Sequence, residues 1–567
     1  MKARPRSYQV PVRINRRYVD IQGRRVHFRS AGTGPVVLLL HQSPQSSAAM
    51  MPLAEKLVSR YCVVAPDSPG FGLSDPLPME EPGIEDIADA LDEFTDAIHL
   101  PPAVVMGVHT GAEIALEFGL RYPEKVTFLL LDGLALFTGE ESEEILENYL
   151  PPFTPDWDGS HLTWLWARLR EQVIFFPWYR KDPGSRMNYN VPDADYIHSW
   201  FMDFMYAGDN YRGGYGAAFR YCNSSSIKDV IPPGAALYRT GDVLETHRQR
   251  LPELPDHVWA ETVPPGPGKL DDRIIDLLGE WVADNQPDWH FEHRVCRSGV
   301  KPEPDYISIG ERQIAVTRAG DPSTPLLLVL HDLAGSAAAT GDLVSILAET
   351  HHVICPDLPG HGESDVPADG GFSISAAAAG LSELLNLLEA DHCRILSLGA
   401  GCVLLPPLIR DNPEINFHAG MHNPLLLDTA SRAALHDRFA HPIEPDDYGT
   451  HITRLWYALR DGRLFWPWYE PVAGNIRRHT PSLAAGDIHQ SLFDALRCGK
   501  SYHRIWQAFF STDVVKEIKA LPQPLSATMS NTHPCAEDAL SLLAQLPTVT
   551  CRETSDDWSE VIDVHFS

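Results

Sequence analysis

A histidine occupies the centre of Gly107-Val108-His109-Thr110-Gly111, with a glycine two residues away on either side. The apolar run AVVMGV (103–108) leads into it, and EIALEFGLRYP (113–123), with apolar residues at helical spacing, follows. This pattern predicts a strand, a turn tight enough to need glycine at 107 and 111, and a helix, with the imidazole carried on the turn. Imidazole has an ordinary pKa of about 6.5, so it can accept and return a proton near neutral pH with no separate base.

The elements that hold this turn belong to a regular alternation. VVLLL (36–40), YCVVAP (61–66), AVVMGV, TFLLLD (127–132) and AALYRTG (235–241) read as buried strands. Amphipathic stretches such as IEDIADALDEFTDAIHL (84–100) lie between them. Strand and helix in alternation predict an α/β fold, a mostly parallel sheet covered on both faces. From about 136 to 230 a Trp-, Tyr- and Phe-rich helical stretch interrupts the alternation, as an inserted cap would.

The unit occurs twice. LLLHQSPQSS (38–47) is echoed by LVLHDLAGSA (328–337), PDSPGFGLSD (66–75) by PDLPGHGESD (356–365), and SHLTWLWARLR (160–170) by THITRLWYALR (450–460), all at an offset of 290. The polar, proline-bearing stretch 284–305 predicts the junction. The expected domains are 1–290, with its cap at about 136–230, and 291–567, with its cap at about 427–515. A duplicated domain often keeps a surface that met its twin, so the halves are expected to pack as an intramolecular pseudo-dimer.

The strand ending in His41, the turn Asp67-x-Pro69-Gly70-x-Gly72-x-Ser74 and the strand–turn–helix at 107–112 resemble the capped α/β-hydrolase fold superfamily, twice over in one chain. In that family a sharp G-x-S-x-G turn presents a serine nucleophile, supported by a histidine and an acid. Here His109 stands at the serine position of the first half and Gly399 at that of the second. The acid position matches Gly241-Asp242 in the first half and becomes Ser530-Asn531 in the second. The loops 263–272 and 552–561, where the histidine is expected, hold none.

The serine-esterase mechanism therefore does not carry over. The resemblance implies a pocket in which the backbone N–H groups of Ser43 and Thr110 serve as oxyanion donors, with Gln42 beside them. An imidazole reaches farther than a serine side chain, so a ring nitrogen of His109 is expected to bond Asp242 directly. Such a dyad suits water activation, proton abstraction beside a carbonyl, or addition and elimination.

The first half is thus expected to act as a cofactor-independent enzyme on a small, mostly apolar carbonyl compound, hydrolase chemistry being what the resemblance implies. Lyase, isomerase or cofactor-free oxygenase chemistry is compatible with the same fold. Read plainly, the replacements also fit a pseudo-hydrolase that binds a ligand or partner without turnover. His41 and His331 are expected to fasten the loops after their strands. His161, Trp166, Arg170 and the Pro-Trp-Tyr at 177–179, all repeated in the second half, are expected to pack the caps.

Composition narrows the partners. With 46 Lys+Arg against 76 Asp+Glu the chain of 567 residues carries a formal charge of −30, which disfavours nucleic acid and anionic membrane surfaces. Nine scattered cysteines without C-x-x-C fit a reducing compartment, and the absence of an apolar leader or span points to the cytoplasm. The basic segment MKARPRSYQVPVRINRRYVD is expected to be a flexible leader. No P-loop, G-x-G-x-x-G or H-E-x-x-H is present, so neither a nucleotide nor a metal cofactor is indicated.

Overall fold

A computed structural model of the chain describes residues 13–282, 289–291, 299, 301–366, 372–477, 481–530, 532–555 and 557–566. It divides into two units, Met1–Thr154 with Thr163–Arg294, and Pro155–Leu162 with Val295–Ser567.

The first unit is built on eight strands: β1 (Asn15–Ile21), β2 (Arg24–Ala31), β3 (Val36–Leu40), β4 (Cys62–Pro66), β5 (Ala103–Val108), β6 (Val126–Asp132), β7 (Gly234–Arg239) and β8 (Val258–Val263). Their spatial order is β1-β2-β4-β3-β5-β6-β7-β8. The pairs β1–β2 and β2–β4 are antiparallel, and the remaining neighbours are parallel. The helices are α1 (Met51–Leu57), α2 (Ile84–Ala97), α3 (Thr110–Arg121), α4 (Gly139–Asn148), α5 (Ser160–Gln172), α6 (Ala194–Ala207), α7 (Tyr211–Arg220) and α8 (Lys269–Trp281).

The apolar runs are central strands because both of their faces are covered. Val36, Leu38, Leu40 and Val105 point to the side of α2 and α3, among Ile87, Leu91, Phe94 and Phe118. Val37, Leu39, Val104 and Met106 point to the side of α1 and α8, among Leu53, Leu57, Ile274 and Leu277. Gly83 N–H donates to the Asp86 carboxylate at 2.8 Å, which fixes the start of α2. The segment between β6 and β7, holding α4 to α7, is the inserted cap.

The second unit repeats this with β9 (Glu303–Ile309), β10 (Arg312–Ala319), β11 (Leu326–Leu330), β12 (His352–Pro356), β13 (His392–Leu398), β14 (Asn416–His422), β15 (Leu525–Ser530) and β16 (Val549–Thr554). Its order, β9-β10-β12-β11-β13-β14-β15-β16, is that of the first sheet strand for strand. Its helices are α9 (Gly341–Leu347), α10 (Ile374–Leu387), α11 (Leu405–Asp411), α12 (Thr429–Leu435), α13 (Thr450–Gly462), α14 (Ala485–Arg497), α15 (Tyr502–Ser511), α16 (Val514–Lys519), α17 (Ala536–Leu543) and α18 (Trp558–Phe566). Where α3 starts directly after its turn, the second unit has a 3₁₀ segment, Gly399–Leu404, before α11. Pro406 and Pro407 lack the amides that a longer α-helix over this segment would use.

The basic N-terminal segment is not all leader. Residues 1–12 lie outside the described residues, but Asn15–Ile21 pairs with β2 along its whole length. Much of the predicted junction, 283–288, 292–298 and 300, also lies outside them. Trp289 within it is anchored, its indole N–H donating to Ile98 O at 3.1 Å. Among the described residues no helix is long and apolar enough to cross a membrane.

Candidate active site

His109 sits at the turn between β5 and α3 with φ 48° and ψ −110°, outside the regions open to ordinary L-residues. Its N–H donates to Asp132 O at 2.8 Å, and its carbonyl accepts from Ala112 and Glu113 at 2.8 and 3.2 Å. A Cβ at 107 would overlap the Gly111 backbone, so the glycine there is a packing necessity. The ring's Cδ2–Nε2 edge lies over Gly133, where a Cβ would come within 2.6 Å of Cδ2.

The structure brings His109 and Asp242 together without joining them by a direct hydrogen bond. Nε2 is 3.6 Å from Asp242 Oδ1, an ion-pair separation. A residue that sequence reasoning missed, Arg239, stands nearer: its Nη2 is 3.0 Å from His109 Nε2. The same guanidinium lies 3.2 Å from Asp242 Oδ2 and 3.4 Å from Asp132 Oδ1. A guanidinium only donates, so in this arrangement His109 Nε2 accepts and the ring proton is on Nδ1. Asp242 also accepts from Tyr189 OH at 3.2 Å and from Leu244 N–H at 3.0 Å.

The electrostatics follow from these contacts. Burial pushes the Asp242 carboxyl up, but His109, Arg239 and the Leu244 amide outweigh it and hold the group well below the usual carboxylate range. Asp132 is raised, because burial outweighs the attraction of Arg239 and His109. Arg239 is raised: its own burial opposes charge, and Asp132 and Asp242 overcome that. The site is thus an ionised Asp242, an arginine and a histidine that share one another's hydrogen-bonding atoms.

The predicted oxyanion donors lie side by side. Ser43 N–H points at Thr110 Oγ1 at 3.5 Å, a long and weak contact. Thr110 begins α3, so its amide has no intrahelical acceptor. Gln42 turns away, its amide donating to Gln45 at 2.6 Å. The second unit shows what this pair of amides can hold. Asp332, at the Gln42 position, accepts from Leu333 N–H and Ala400 N–H through one oxygen, each at 2.8 Å. Those are the counterparts of the Ser43 and Thr110 amides, and a carboxylate oxygen fills the space between them.

Sheet register also shifts the correspondence of the acid. Asp132 pairs with Leu237 and His422 with Thr528, so Arg239 corresponds to Ser530 and Asp242 to His533, two residues beyond the Ser530-Asn531 expected. Asn531 lies outside the described residues.

Other candidates have structural partners. His41 Nδ1 bonds Gln42 O at 3.1 Å and Nε2 accepts Ser68 N–H at 2.9 Å. His331 makes the matching bonds to Asp332 O and Leu358 N–H. Ser46 donates to Asp203 at 2.6 Å and Ser47 to Asp67 at 2.5 Å. Trp178 and Trp468 fasten the two caps alike, donating to Tyr149 O and Phe439 O at 3.1 and 2.8 Å. Arg170, expected to pack, is exposed.

The first cap contains a group with no counterpart in the second. Arg168 is buried, with the rings of Tyr149, Trp178, Phe204 and Tyr211 at 5.3 to 5.5 Å from its guanidinium carbon. On α3, Glu113 is buried too, and burial raises its carboxyl well above the usual carboxylate range. The corresponding residues of the second unit are Ala458 and Val403. Among the described residues no group of three or more His, Cys, Asp or Glu side chains is arranged to hold a metal.

Residues 35–208 match the family described as the alpha/beta hydrolase fold. The first unit is an α/β-hydrolase-fold domain, and the second repeats its topology. A stretch of 115 residues, 20% of the chain, is 31% identical to haloalkane dehalogenase 2 of Mycobacterium tuberculosis and covers 40% of that protein. Another of 101 residues, 18% of the chain, is 38% identical to the pimeloyl-[acyl-carrier protein] methyl ester esterase of Chromobacterium violaceum and covers 37% of it. An uncharacterized protein of M. tuberculosis is 30% identical over 111 residues, 20% of the chain and 32% of that protein. The chain thus matches between about a third and two fifths of the length of these relatives. The crystal structure of epoxide hydrolase A from Mycobacterium thermoresistibile, 17% identical, aligns with 47% of this chain and 98% of its own at a TM-score of 0.37.

Proposed function

We propose that the first α/β-hydrolase-fold unit is a cofactor-independent hydrolase of a small, mostly apolar, carbonyl-containing molecule, and that the second unit is its non-catalytic companion. The observation that carries this reading is the backbone at His109. A non-glycine residue in such a conformation costs on the order of 1–3 kcal/mol. The second unit, with Gly399 at φ 53°, shows that glycine fits the same turn. The first unit keeps the strained histidine, and strain of this kind concentrates at working sites.

In the proposed mechanism the substrate carbonyl oxygen enters the space between the Ser43 and Thr110 amides, where the second unit holds a carboxylate oxygen. As Arg239 swings toward Asp132 the ring of His109 changes tautomer, Nε2 taking a proton from solvent and Nδ1 giving its own up to solvent; Nε2–H then donates to Asp242 and the Nδ1 lone pair is free. Nδ1 removes a proton from water, hydroxide adds to the carbonyl carbon, and the two amides bind the resulting oxyanion. The imidazolium then returns the proton to the leaving group as the carbonyl re-forms. Relatives named for dehalogenation and ester hydrolysis support a hydrolytic class.

A second reading, a pseudo-hydrolase that binds without turnover, is favoured by the Arg239 contact, which engages the nitrogen that Asp242 must hold. A panel of activated esters and thioesters separates the two. Hydrolysis by the wild-type chain, lowered by at least about 10² in His109→Ala and in Asp242→Asn, supports the enzyme. Near-native rates in either variant overturn the dyad, and saturable binding with no product at any pH supports the second reading.

A further inference from the structure

At the elbow of the second unit Gly399 contributes no side chain, and Asp332 takes the place from the neighbouring loop. One of its oxygens is held by the two amides already described, and a Cβ at 399 would strike the carboxylate. Beside it lies a cavity of about 340 Å³ whose wall includes Asp332, Phe439, Trp466, Trp506, Trp558 and His533. The rings cluster, with Phe439 4.7 Å from Trp506 and 5.6 Å from Trp466 between centroids. Among the described residues no lysine or arginine pairs with Asp332, whose hydrogen bonds all come from neutral amides.

A second cavity of about 380 Å³ adjoins the first, sharing Trp466 and His533, and Glu537, Asp538 and Glu553 form part of its wall. Its arginine, Arg477, is tied to the carbonyls of Gly462 and Thr532 at 2.9 and 3.2 Å. Burial, Arg477 and His422 push His533 down to about 4, so that ring is neutral near pH 7. The Asp332 side chain is exposed at this wall, and an approaching cation stabilises its charged form.

An uncompensated carboxylate in an aromatic chamber with acidic groups on the adjoining wall is complementary to one class of ligand. We propose that the second unit binds a small organic cation, a quaternary or protonated alkylammonium, with its head group against Asp332 and the rings of Phe439, Trp466, Trp506 and Trp558. Aromatic faces attract such cations through their quadrupoles, most strongly when water is excluded. The net charge of −30 favours their approach. The first unit lacks this site: Gln42 replaces Asp332, and Tyr149 and Tyr215 replace Phe439 and Trp506.

The test is calorimetry and tryptophan fluorescence on the full chain with tetramethylammonium, choline, the neutral isostere 3,3-dimethyl-1-butanol, and acetate. Both cations should bind and quench, and the isostere should bind at least tenfold more weakly. Asp332→Asn keeps an oxygen for the two amides and removes the charge; it should weaken both cations at least tenfold, with unchanged melting. Trp506→Leu should weaken them several-fold. Equal binding of the isostere, unaltered affinity in Asp332→Asn, preference for acetate, or no saturable cation binding up to about 10 mM would each overturn the assignment.

Discussion

Replacing His109 by alanine and by glycine separates backbone strain from the contacts of the ring. Both substitutions remove the ring and with it the approaches to Arg239 and Asp242 at 3.0 and 3.6 Å. They differ only in whether a Cβ is forced into the backbone at φ 48°, ψ −110°. At an ordinary helix or strand position glycine is less stable than alanine by roughly 0.5–1 kcal/mol, from its greater freedom when unfolded. At a strained position the Cβ costs on the order of 1–3 kcal/mol, so the sign reverses. The His109→Gly variant should therefore be more stable than His109→Ala by about 0.5–2 kcal/mol. Urea unfolding followed by circular dichroism reads this as a shift in the transition of the first unit, with unfolding rates as a second measure where two units overlap. Gly399→Ala supplies the converse, a loss, because φ there is 53° and the added Cβ meets Asp332. A His109→Ala variant as stable as His109→Gly would refute the idea that the elbow stores strain.

Gln42→Asp should reproduce in the first unit the carboxylate plug that Asp332 forms in the second, and lower turnover by at least about 10², whereas Gln42→Ala should leave it within a few-fold; steady-state kinetics on both variants decide this. Nitrogen-15 NMR of labelled histidine should show His109 as the Nδ1–H tautomer, because Arg239 donates to Nε2, and Arg239→Met should convert it to Nε2–H facing Asp242; an Nε2–H ring in the wild type would contradict the contact geometry. Asp203, buried beside Ser46, is raised by burial to about 7, above an unfolded value of about 3.9, so the stability it confers is full below that unfolded value and lost as pH rises through about 7. Asp203→Asn should therefore melt with the wild type near pH 4 and above it near pH 8, by on the order of 3 kcal/mol, and a difference that does not depend on pH would exclude this cause.

The central strands were legible because continuous apolar runs such as VVLLL need cover on both faces. The edge strand β1 and its neighbour β2 were not, since the arginines of NRRYVDI and RRVHFRSA break up the apolar run that marks the central strands. His109 stood out because it breaks a serine pattern between two glycines, and Asp242 because it follows a glycine after an apolar strand. Arg239 left no such mark: three residues before Asp242, it reads as the ordinary polar end of β7, and only the fold aims its guanidinium at the imidazole. Asp332 was hidden for a related reason. Its position aligns with Gln42 in an unremarkable loop, and its significance appears only when the missing side chain at Gly399 leaves room for it.

The central claim is that the first unit performs chemistry at His109. An untargeted mass-spectrometric comparison of a metabolite extract, incubated with the wild-type chain and with His109→Ala, tests it most directly. Compounds consumed by the wild type alone, with products heavier by one water or split at a carbonyl, are the predicted result. Depletion of the same compounds by both proteins would contradict the account.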